Sequence, residues 1–338
     1  MSSHESHLTA ADELPAGSLP TENGDRQQSK LTIIRPGEPQ RLNPMESHDL
    51  RGILPDDFKG RTSIIRVPEY GFRPDNWSKA LLRGLQKMDV AGKTILEPGV
   101  GTGPNIAYLA NRPKSARPKE IWGGDYDRRM APVAAENCDR MLSKDERAII
   151  QLCEGELSLI AWAHRHNVRP DIVYGCLPQV PCPENIHLGD GDSYSHYYKT
   201  DDNGASGQTD RHEADINDFG LKLQVLLLRE AKDLLAPKGQ VVLNLGGRPG
   251  RDMLVKMFEK EGFLPEIIHS EIIRQHEGTD LHQLVKREHT MKDVTGHEYE
   301  FFRDAKGEQP INATEALRLR EADEHVYHYI YVMKATRA

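Results

Sequence analysis

Seven residues constrain this chain more than any others: Glu97-Pro98-Gly99-Val100-Gly101-Thr102-Gly103, set between a short apolar run and Pro104. Lys93 to Glu97 reads as a buried strand, and Pro104 suits the first turn of a helix, where its missing N–H costs nothing. A strand that turns through glycines into a helix opens a doubly wound α/β sheet, because the glycines let backbone approach a ligand at the helix N-terminus. The rest of the chain agrees. The spacing predicts further strands over 121–124, 148–153, 171–175 and 240–245, and helices over 77–88, 104–110, 130–142, 157–166, 219–235 and 252–261. Two later segments, Glu266 to Ile273 and His325 to Met333, alternate as strands do. The expected fold is α/β: a doubly wound, Rossmann-like parallel sheet with an antiparallel carboxy-terminal edge.

A bare G-x-G occurs in NAD enzymes too. Here an acid, Glu97, stands two residues before the first glycine, which favours S-adenosylmethionine, whose amine is cationic. Asp125 ends the second strand 22 residues after Gly103, where a carboxylate can accept both ribose hydroxyls. Ala135 and Asn137 then follow in a spacing usual for methyltransferases. Glu156, after the third strand, is a candidate for the adenine amino group, or else an exposed helix-capping carboxylate. Leu157 beside it is placed to pack on a purine. The expected cofactor set is Glu97, Gly99, Gly101, Gly103, Asp125, Tyr126, Glu156, Leu157 and Cys176; the alternative is a structural turn without a ligand.

Composition narrows the classes. The net charge of −8 over 338 residues argues against a nucleic-acid binder working through a broad basic field. No apolar stretch is long enough to span a bilayer, and the amino terminus lacks a signal-peptide pattern. Cys138, Cys153, Cys176 and Cys182 form no C-x-x-C pair, and the histidines show no H-x-x-x-H or H-E-x-x-H spacing. The expectation is a cytoplasmic protein without metal. Hydrophobic residues are only 37%, and no aromatic precedes Phe58. Residues 1–45 therefore read as a disordered tail and 46–338 as the domain.

The fourth strand carries the substrate argument. Asp171-Ile172-Val173-Tyr174-Gly175-Cys176-Leu177-Pro178-Gln179 lies where amine-methylating enzymes place Asn-Pro-Pro-Tyr. Cys176 takes the Asn position and Gln179 the Tyr position. A cysteine cannot grip an amide or amine as asparagine does. A nucleophile that needs no proton removal fits better, such as a thioether sulfur, with a lone pair at every pH and positioning as the main source of acceleration. Cys176 as a small buried filler is the plain alternative.

Several segments resemble the methionine S-methyltransferases. They are Val241 through Leu243-Asn244-Leu245-Gly246-Gly247-Arg248-Pro249-Gly250, Gly175-Cys176-Leu177-Pro178-Gln179, Pro74-Asp75-Asn76-Trp77-Ser78, Phe219-Gly220-Leu221, and Glu300-Phe301-Phe302 with Gln309-Pro310. The resemblance implies a class I S-adenosylmethionine-dependent methyltransferase fold and an enzyme of the EC 2.1.1 class. The implied reaction moves a methyl group to the thioether of L-methionine, giving S-methyl-L-methionine, which can open a route to dimethylsulfoniopropionate. The large aminotransferase-like region of the plant enzyme is not matched here. Substrate-binding candidates are Arg248, as a two-point carboxylate partner, with Gln179, Trp77, Tyr194 and Tyr197. The two tyrosines fall in a polar insertion at about 184–216, expected to be a lid or a plain loop. An amide or amine N-methyltransferase and a non-catalytic cofactor-binding module are the competing readings. A homodimer is left open.

Overall fold

A computed structural model describes residues 32–37, 45–125, 127–154, 163, 167–180 and 219–338. The expectations for Tyr126, Glu156, Leu157, Tyr194, Tyr197, the helix at 157–166 (but for residue 163) and the insertion at 184–216 lie outside the described residues.

In chain order the elements are β1 (Thr32–Ile34), β2 (Met45–Asp49), β3 (Ile64–Pro68), α1 (Asn76–Gln86), β4 (Thr94–Pro98), α2 (Pro104–Ala110) and β5 (Glu120–Gly124). Then come α3 (Met130–Met141), α4 (Lys144–Arg147), β6 (Ile150–Glu154), β7 (Ile172–Gly175), α5 (Lys222–Leu234), β8 (Gln240–Gly246) and α6 (Arg251–Lys260). The last are β9 (Phe263–Arg274), α7 (Leu281–Thr295), β10 (Phe301–Phe302), β11 (Pro310–Ile311), α8 (Ala313–Glu321) and β12 (Tyr327–Arg337).

The main sheet runs β1-β6-β5-β4-β7-β8-β12, with β9 on the far side of β12. β6, β5, β4, β7 and β8 are parallel, and β12 is antiparallel to both β8 and β9. From β4 the chain winds outward through β5 and β6, then returns to lay β7 on the other side of β4. The order therefore reverses between β4 and β7, and a crevice opens at their carboxyl ends. The expected doubly wound sheet with its antiparallel edge is what forms.

Successive residues of each strand face opposite layers. Ile95, Val242 and Val332 join one apolar cluster with Leu81, Leu85, Ile106 and Leu109 of α1 and α2. Leu96, Val241 and Leu243 join the other with Leu228, Leu254 and Phe258 of α5 and α6. Asn244 shares the parity of Val242, so a polar side chain enters the face that α1 covers. α1 starts sharply because the Asp75 carboxylate caps it, accepting from Trp77 N at 2.8 Å. It lies close on the sheet because Gly84 has no Cβ to strike Val332.

Two expectations are corrected. The tail does not run unbroken to residue 45: Thr32–Ile34 pairs antiparallel with β6, and Ile34 is buried. Three β-branched residues suit an edge strand, but the polar composition around them hides the signal. The helix placed at 219–235 begins only at Lys222, because Gly220 sits at φ +73° against the backbone of Gln179 and Val180.

Candidate active site

The glycine turn joins β4 to α2. Gly99 N and Val100 N donate to Gly124 O at 2.8 and 2.9 Å, which ties the turn to the end of β5. Gly101, at φ +52°, has nothing among the described residues within 4 Å of where a Cβ would stand. At Gly103 a Cβ would lie 3.1 Å from that of Ala134; this glycine lets α2 and α3 pack. Asp125 stands beside the turn, its carboxylate accepting from Gly101 N at 2.9 Å and Asp127 N at 3.0 Å. Asn137, buried in α3, locks the opposite side. Its amide exchanges hydrogen bonds with the backbone of Arg66 in β3 and donates to Thr102 O.

Glu97 lies beneath the turn and is fully buried. One carboxylate oxygen accepts from Asn105 Nδ2 at 2.8 Å, and the other from the Tyr174 hydroxyl at 2.7 Å. Burial is the main cause that pushes this carboxyl up to about 8, and the Asp125 charge adds to it. The Asn105 amide is oriented by its bond to Glu97, which leaves its buried Oδ1 without a partner among the described residues.

Across the switch point β7 ends at Gly175, and Cys176 follows it. Its thiol, pushed up to about 12 by burial, is neutral and inert as a nucleophile. Asn244 Nδ2 donates to Cys176 Sγ at 3.3 Å and to Trp77 O at 2.9 Å. The carbonyl acceptor fixes that amide's orientation, so the buried atom without a partner among the described residues is Asn244 Oδ1. The Trp77 ring lies on Gly246; a Cβ there would meet its Cη2 at 2.7 Å.

Gln179 does not offer its amide to a ligand. Nε2 donates to Gly246 O at 3.0 Å and Oε1 accepts from Gly246 N at 2.8 Å, so the side chain braces the end of β8. Arg248, two residues further, is buried at 4% exposure, and its carbonyl accepts from Glu300 N. His328 of β12 is equally buried, with its ring 5.9 Å from that of Trp77.

The structure thus brings Glu97, Gly99, Gly101, Gly103 and Asp125 together on one side of the crevice, and Trp77, Cys176, Gln179 and Arg248 on the other. Sequence reasoning gives Asn105, Tyr174, Asn244 and His328 no site role, although Tyr174 and Asn244 stand within its motifs. For two of them a signal existed: Asn244 interrupts the run Val241-Val242-Leu243, and His328 shares the buried parity of Ile330 and Val332.

Strand order, antiparallel final pair and an acid–glycine turn at the switch point define the class I methyltransferase fold. No family model matches the chain. It is 27% identical over 290 residues to a methionine S-methyltransferase of Zea mays, covering 80% of this chain and 25% of that protein. The methionine S-methyltransferase of Arabidopsis thaliana is 24% identical over 304 residues, covering 84% and 27%. The chain thus spans about a quarter of the length of these curated relatives. Among solved structures it is similar to the precorrin-6y C5,15-methyltransferase of Geobacter metallireducens, at 11% identity and a TM-score of 0.38, covering 80% of this chain and 92% of that one.

Proposed function

We propose that this chain is an S-adenosylmethionine-dependent methyltransferase whose substrate is the thioether sulfur of L-methionine, giving S-methyl-L-methionine. The observation that carries the reading is the similarity to methionine S-methyltransferases over four-fifths of this chain. The residues present fit the cofactor. Among the described residues nothing crowds Gly101 and Asn105 Oδ1 has no partner; Asp125 at the strand end suits the ribose hydroxyls, and Glu97 with Asn105 Oδ1 suits an ammonium group. When bound, the cofactor supplies a methyl group on a sulfonium.

The chain's own part is orientation and exclusion of water. A thioether has a free lone pair at every pH, so no residue must take its proton. The neutral Cys176 thiol does not compete as a methyl acceptor. Trp77, laid on Gly246, presents an aromatic face that suits a cationic sulfur. Arg248 is the candidate partner of the substrate carboxylate.

One observation favours a second reading. Asn244 brings an amide to the sulfur of Cys176, close to where an amine-methylating enzyme has its asparagine. Incubation with methyl-labelled S-adenosylmethionine and a panel of free amino acids separates the two. A labelled methionine sulfonium supports the proposal. An N-methylated product, or none, overturns it.

A further inference from the structure

We propose that His328 is the acceptor that holds the substrate's α-ammonium group, beside Arg248 holding the carboxylate, so that the pair selects a free amino acid. The inference rests on the amino-acid substrate proposed above and names the groups that read it.

Three observations place His328 at that task. The first is position. Ile330 pairs with Gly246 across β8 and β12, so His328 lies one pleat further on, level with the loop that carries Arg248. Its side chain shares a face with Ile330 and Val332, the face α1 covers, and its ring lies 5.9 Å from that of Trp77. The second is the state of its hydrogen bonds. His328 is only 1% exposed, yet among the described residues neither ring nitrogen has a partner. An imidazole buried with both nitrogens unmet loses its hydration for nothing, unless a ligand completes it.

The third is charge. Burial, and next to it the cation of Arg248, drive the His328 titration well below its ordinary range. Both effects favour the neutral ring, which carries one N–H donor and one lone pair that can accept. An anionic ligand has no use for that lone pair; an ammonium does. The neighbouring Trp77 ring adds a π face that favours an alkylammonium over a neutral group. A cation that fixes the carboxylate thus also keeps the adjoining imidazole in the form that accepts from the amine.

The test compares L-methionine with 3-(methylthio)propionate, which keeps the thioether and the carboxylate but lacks the amine. Wild-type enzyme should prefer methionine. His328→Phe fills the same volume without an acceptor. It should raise the KM for methionine about 10- to 100-fold and change kcat little. The KM for the desamino analogue should stay within about threefold, and the affinity for S-adenosylmethionine should not move. His328→Asn, which restores an acceptor, should recover part of the loss for methionine alone and guards against a Phe variant that fails to fold. Equal penalties on both substrates, or none on either, overturn the inference and leave the proposed reaction standing. Wild-type enzyme that methylates neither thioether overturns both.

Discussion

Gln179 and Gly246 exchange two hydrogen bonds across the open end of the sheet, at 3.0 and 2.8 Å, and the Trp77 ring lies on that glycine. The side-chain amide copies a strand partner and so holds the end of β8 to the segment that follows β7. Gln179→Met keeps volume but leaves the Gly246 N–H and C=O without partners. Two buried backbone groups left unmet should cost about 2–4 kcal/mol of stability, read as a lower midpoint in urea denaturation. The KM for methionine should rise as Trp77 loses its support. An unchanged midpoint would mean that water replaces the amide at no cost.

Much of this arrangement was legible from the residues, for physical reasons. The turn at Gly99 to Gly103 is set by local backbone demands, and the alternating strands by their own apolar periods. Those signals are short-range, so the sheet, its switch point and the position of Asp125 followed from them. What stayed hidden depends on contacts between distant segments. Nothing near Gln179 announces that its amide lies against Gly246. Nothing near Asp75 announces that α1 presents Trp77 to Asn244 and His328, residues 167 positions and more along the chain. Thr32–Ile34 is the same case: an edge strand of three residues takes its stability from the partner it meets, β6, rather than from its own sequence.

The acid beneath the turn gives a pH signature. Glu97 is held near 8 in the folded chain, well above the usual carboxylate range of about 4.3. Between these values the native state keeps a proton that the unfolded state has released. Its contribution to stability should therefore fall as pH rises from about 4.5 to 8. A cationic cofactor amine has the opposite preference and stabilises the carboxylate. Binding of S-adenosylmethionine should release a proton and tighten between about pH 5.5 and 7.5, before the cofactor's own amine begins to titrate. Calorimetry in buffers of different ionisation enthalpy counts that proton. Glu97→Gln should abolish the release and flatten the profile. No proton release from the wild type would place Glu97 outside the cofactor's reach.

Asp125 has two tasks, and they can be separated. Its carboxylate already accepts from Gly101 N and Asp127 N, so it shapes the turn before any ligand arrives. Asp125→Ala should weaken S-adenosylmethionine binding about 10- to 100-fold through lost charge-assisted bonds and a looser turn. Asp125→Asn keeps one oxygen for Gly101 N. It should hold the melting temperature near wild type and still lose about tenfold in affinity. If both variants melt normally and bind normally, the ribose is not held here.

The amino-terminal segment makes the last prediction, because β1 divides it into parts with opposite expectations. Ile34 is 4% exposed, the strand covers the outer edge of β6, and just beyond it Gly37 N donates to the Asp139 carboxylate of α3 at 2.9 Å. Deleting residues 2–37 removes all three. The loss should be about 1.5–3 kcal/mol from the isoleucine alone, and the bared strand edge should make the protein prone to self-association. Deleting residues 2–31 keeps the strand and should leave the denaturation midpoint and the elution volume of the full chain. Ile34→Ser in the full-length protein should reproduce the stability loss without baring the edge, and so without the association. Equal stability of the two deletions would show that β6 needs no cover.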